Sequence, residues 1–159
     1  MTFDQRRDIL ESQLIELFPI DVPGELPGSK SENSCLDRVR CWDSILLGES
    51  DSWFAEEFDR LSPREMTYYL PCYLRNALLE PYYELHLLDV LNQKCSYIEV
   101  DLLSQLNEAQ LSWILNYVNF QLEMISALSP TEKVVSLLTK QNLETLKRKL
   151  VRLINASQG

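Results

Sequence analysis

His86 is the one histidine in the chain, with Glu84 two residues before it and Asp89 three residues after it. On a helix Asp89 would share the face of His86, and a histidine beside a carboxylate has the parts of a general base and the group that orients it. A hydrolase built on that pair would also need a nucleophile. No serine, cysteine or threonine is assigned that role by its spacing, and there is no GxSxG elbow. A lone histidine among leucines is more often a packed or surface residue. The neighbouring carboxylates Glu56 and Glu57, with Asp59 after them, lie on a short amphipathic stretch and read as a solvated acidic face. Such a face would meet a basic partner rather than move protons.

Cys35, Cys41, Cys72 and Cys95 are separated by five, thirty and twenty-two residues, which matches no zinc-ligand spacing, and one histidine does not complete a set. They are expected to be free thiols, with a redox pair at Cys35 and Cys41 only if folding brought them together. The glycines supply no GxGxxG and no GxxxxGK[ST], so no phosphate-cradling loop is expected. No catalytic, cofactor-binding or metal-binding residue is therefore assigned, and no cofactor is expected.

The 159 residues carry a net charge of −9, distributed unevenly. Residues 1–132 hold 23 acidic and 9 basic residues, and residues 133–159 hold 1 acidic and 6 basic, so −14 faces +5. An acidic body repels phosphates, which argues against nucleic acid on that surface, and attracts basic proteins. The opening residues show no apolar run of signal-peptide type, and the apolar region from Trp113 to Leu128 is broken by Asn116, Asn119, Gln121 and Glu123, so no membrane span is expected. A cytoplasmic location is the corresponding expectation.

Only 4 glycines among 159 residues favour helices over a turn-rich β fold. Thr2 and Gln5 have capping-box spacing before an apolar stripe that ends by Pro19. Residues 19–34, "PIDVPGELPGSKSENS", read as a long Pro/Gly loop that could cover a partner. Helical spacing resumes over 35–47 and in "WFAEEFDRL". Ser62-Pro63-Arg64-Glu65 and Ser129-Pro130-Thr131-Glu132 each combine a cap, a first-turn proline and a glutamate three residues beyond the cap, and Asn107 to Gln110 gives another start. A short helix is expected between Pro81 and Leu91, and strand character is confined to "CSYIEV" at 95–100. The apolar helix from Glu108 to about Leu128 is expected at the centre of a bundle. The last helix, about Lys140 to Ile154, is basic and amphipathic: Leu143, Leu146, Leu150 and Leu153 share one stripe, with Lys149 and Arg152 away from it. Such a helix could bind an acidic partner, an anionic membrane surface or nucleic acid, although packing of the leucines on the chain's own acidic body is the simpler expectation.

The helix over 63–79 carries Pro71 in its interior. At about 100° per residue, Met66, Tyr69, Leu70, Tyr73, Leu74 and Ala77 gather on one side and Arg64, Thr67, Tyr68, Pro71 and Arg75 on the other. Pro71 is thus expected on a polar face, where water replaces its lost hydrogen bond and the helix bends around the core. Arg64, Tyr68 and Arg75 would then form a docking patch beside the bend, since arginine and tyrosine are frequent interface anchors.

The same segment, "LSPREMTYYLPCYLRNALL", resembles the core of a family of small uncharacterised bacterial proteins marked by a Thr- or Ser-Pro helix start and "YYLPAYL". Phe18-Pro19 and "SDSWFAEEF" extend the resemblance over roughly residues 10–80. Position 72 is cysteine here where that pattern has alanine. The resemblance implies one domain and brings no activity with it.

The resulting expectation is a single all-α domain, residues 1–159, of six or seven helices with one Pro-kinked member. Its function would be protein binding: an acidic immunity or inhibitor protein that sequesters a basic, toxin-like protein through Arg64, Tyr68, Arg75, Glu56, Glu57 and Asp59. The alternatives are a homo-oligomeric scaffold joined through the C-terminal leucine stripe, and a hydrolase using His86 as base.

Overall fold

The computed structural model describes residues 1–19, 63–79, 84–93, 101–127 and 137–158. These residues contain five α-helices and no strand: α1 (Phe3–Leu17), α2 (Pro63–Leu79), α3 (Glu84–Leu91), α4 (Glu108–Ser126) and α5 (Leu137–Gln158), with a 3-10 turn at Leu102–Gln105 before α4. The all-α expectation holds for them. The long loop at 19–34 beyond Pro19, the helices expected over 35–47 and 53–61, the Ser129-Pro130 start and the 95–100 stretch lie outside the described residues.

Two helix starts follow directly from side-chain chemistry. Thr2 accepts a hydrogen bond from the Gln5 backbone N–H while the Gln5 side chain accepts from Thr2, and Asn107 and Gln110 repeat the exchange at α4. Each box satisfies two N–H groups that a helix start otherwise leaves without partners. α5 runs further at both ends than its apolar stripe suggested.

α1 packs on α2 and on α4, α2 on α3 and the 3-10 turn, α3 on α5, and α4 on α5 in the most extensive helix pair. Leu143, Leu146 and Leu150 of α5 are fully buried, as are Ile114, Tyr117 and Val118 of α4. Burial on that scale contributes about 1.5–3 kcal/mol for each large apolar side chain relative to exposure.

α2 is more completely enclosed than α4. Thirteen of its 17 residues are buried, against six of the 19 in α4. This corrects the expected position of Pro71. The side predicted to be apolar is buried as expected, but Tyr68, Pro71 and Arg75 on the opposite side are buried too. A wheel reports the polarity of a helix, whereas enclosure depends on how many neighbours surround it. α2 has α1, α3 and the 3-10 turn around it. Water replacement at a polar surface is therefore not what accommodates the proline.

α1 is fastened to α4 along its length. The Trp113 indole donates to the Leu10 carbonyl at 2.8 Å, and the Gln110 amide donates to the Leu17 carbonyl at 3.0 Å, where the helix end needs a donor. Arg6 pairs with Glu123 and lies 5.2 Å from the centre of the Phe120 ring. The hydrogen bond from Arg6 holds the Glu123 carboxyl below its ordinary value, with burial opposing. Since the native value is the lower one, the pair stabilises the fold above the unfolded carboxyl value of about 4.3 and loses its contribution as pH falls through the native value. Thermal melts of the protein and of Glu123→Gln should differ at pH 7, with the variant less stable, and the difference should shrink below about pH 4. A difference that stays constant over that range would show that the pair is not linked to folding.

Candidate functional site

A concavity among the described residues lies where the end of α1, the start of α2, the 3-10 turn and the start of α4 meet. It is a cleft of about 420 Å³. Phe18, Tyr68 and Leu106 give it an aromatic and aliphatic wall, Gln105 and Gln110 supply amides, and Arg64 stands at the first turn of α2. Sequence rules explain why these side chains converge. Pro63 suits the first turn because the N–H it lacks would have no helical partner there. The capping box fixes the Gln110 backbone, and its amide also reaches the Leu17 carbonyl, so α4 starts against the end of α1.

The candidate residues fare differently. Arg64 is exposed and lines the cleft, and Tyr68 lines it as well although only 5% of the residue is exposed. Arg75 is 7% exposed and lies two turns further along α2, away from the cleft. The three do not form one exposed patch; two of them contribute to one cleft. Glu56, Glu57 and Asp59 lie outside the described residues. Phe18, Gln105, Leu106 and Gln110 were not identified from the sequence as site residues. Gln110 left a signal as the third residue of a capping box and Phe18 as part of the Phe18-Pro19 resemblance, and neither signal concerned a site.

His86 belongs to α3 and Asp89 follows one turn later in the same helix, as expected; the His86 side chain lies outside the described residues. Among the described residues, no group of three or more His, Cys, Asp or Glu could hold a metal ion. Cys72 is fully buried in α2, and removal from water pushes its thiol up to about 12 despite the opposing Arg75 charge and a contact from the Asn76 amide. A thiol in that state is a packing element, because the reactive form is the thiolate. Cys35, Cys41 and Cys95 lie outside the described residues. No helix among the described residues is long and apolar enough to cross a membrane.

Comparison with known protein families, with characterised proteins and with solved structures finds no match. The bacterial-family resemblance thus rests on the residues that suggested it.

The C-terminal leucine stripe is used within the chain: Leu143, Leu146 and Leu150 are buried in the same core as α4, and Leu153 packs at its margin. Leu146→Ala should therefore destabilise the fold by about 2–5 kcal/mol, as for other buried leucines. Urea unfolding of both proteins would measure this, with a transition midpoint independent of protein concentration. A midpoint that rises with concentration would instead assign the stripe to a contact between chains.

Proposed function

We propose that this protein is a helical protein-binding domain of the inhibitor or immunity type that sequesters a basic protein, and that the cleft at the α1–α2–α4 junction is its docking point. The cleft carries the reading. It combines an aromatic and aliphatic wall with two amides and an arginine, the chemistry that anchors protein contacts. No carboxylate, histidine or thiol stands among its described lining residues, and its rings and amides suit it to hold a side chain. Its volume falls in the range of about 300–1,000 Å³ seen for ligand clefts.

The net charge of −9 supports the choice of partner. A negative field accelerates encounter with a basic protein, and local contacts then set register. Arg64 contributes there as a donor to backbone carbonyl oxygens, which every protein partner presents. The amides of Gln105 and Gln110 add both donors and acceptors.

Gln105 offers a clean test because it is exposed and lines the cleft. Tagged protein and its Gln105→Lys variant would be used to capture partners from native lysate, followed by titration with the purified partner at low and high salt. The expected result is one stoichiometric basic protein, bound at least tenfold more weakly by Gln105→Lys and released by salt. Affinity insensitive both to salt and to Gln105→Lys would overturn the reading.

A further inference from the structure

The positive charges of α5 fall on two separate sectors. At about 100° per residue, Lys149, Thr145 and Arg152 lie on one flank of the buried leucine stripe, Arg148 adjoins them nearly opposite the stripe, and Lys140 and Lys147 occupy the other flank. The first flank faces the end of α3. With Asn92 and Gln93 it lines a second cleft, of about 490 Å³.

Within this cleft the three cations are not equivalent. Lys149 Nζ donates to the Leu91 carbonyl at 3.0 Å, to Gln93 Oε1 at 3.1 Å and to Asp101 Oδ1 at 3.2 Å. All three donors of the ammonium are thereby used, and Asp101 offsets its charge. Gln93 adopts the left-handed backbone conformation, φ 58°, that ends many helices. The amide of Asn92 donates to the Asn142 carbonyl at 3.1 Å, tying the same turn to α5. The base of the cleft is therefore a cross-linked joint between α3 and α5.

Arg148 and Arg152 stand on that joint one helical turn apart, and both are exposed. Arg148 has a contact of 3.4 Å to the Thr145 hydroxyl. Neither guanidinium is in an ion pair with a carboxylate among the described residues. Two like charges at this spacing destabilise a helix. Of the nearby carboxylates, Asp101 is taken by Lys149, and Glu144, one turn before Arg148, is outside the lining. A chain of net charge −9 thus holds two adjacent arginines over a rigid concave base.

We propose that this cleft binds a phosphate-class oxyanion, with Arg148 and Arg152 as its principal donors and the Thr145 hydroxyl beside them. Guanidinium forks match the oxygens of a phosphoryl group in pairs, and a ligand carrying two or more negative charges removes the repulsion between the arginines. The same chemistry is available from a soluble phosphate compound and from a phospholipid headgroup.

Isothermal titration with inorganic pyrophosphate, and co-sedimentation with phosphatidylcholine vesicles with and without phosphatidic acid, separate the two sources. Three proteins would be compared: the unaltered chain, Arg148→Gln/Arg152→Gln, and Lys140→Gln/Lys147→Gln, which loses the same charge from the other flank. The altered residues are all exposed, and circular dichroism would confirm equal helicity. The expected result is saturable binding that weakens at least tenfold in the arginine variant and less than threefold in the lysine variant. Binding to pyrophosphate alone would identify a soluble ligand, and binding to phosphatidic acid vesicles alone a headgroup; either supports the site. No saturable binding in either arm, or equal weakening in both variants, would overturn it, the latter by showing a diffuse charge effect.

Discussion

The enclosure of α2 is the constraint on which the rest of the arrangement depends. A helix buried on nearly all sides must be surrounded by other elements, and α1, α3 and the 3-10 turn pack around it. That position is demanding for this segment, which carries Pro71 together with Glu65, Arg75 and Asn76 into the interior. Burying a charge without a partner is costly, so the surroundings must supply partners for Glu65 and Arg75, and both are engaged. The first turn of α2, at Pro63 and Arg64, reaches the surface, and the candidate docking cleft opens there. The cleft is in that sense a consequence of where the enclosed helix emerges.

Polar side chains that reach across the core complete the frame. Trp113 and Gln110 donate to carbonyls of α1, and Lys149 donates to the end of α3. A cation at a helix C-terminus meets both carbonyls without helical partners and the negative end of the helix dipole. Lys149 thereby combines a structural contact with a place in a basic cleft. The two clefts also differ in character. One is walled largely by rings and amides at helix starts, the other by guanidinium groups at a helix end.

Much of the secondary structure was legible because local chemistry determines it. The Thr2 and Asn107 capping boxes, the first-turn proline at Pro63 and the leucine spacing of α5 each correspond to an observed helix. Burial was less legible. The side of α2 expected to face solvent is not solvent-facing at Tyr68, Pro71 and Arg75, which are buried, and no pattern within residues 63–79 records the neighbours that cover them. The site was the least legible part. Phe18, Arg64 and Gln110 come from three elements far apart in sequence, and nothing in their spacing announces that they meet.

Native-state hydrogen exchange tests the enclosed α2 most directly. If that helix is the frame, the amides of Leu70, Tyr73, Leu74 and Leu78 should exchange only through global unfolding, with a free energy equal to that from denaturant titration. Exchange of these amides through local opening, at a free energy well below that of the α4 core around Ile114 and Val118, would contradict it.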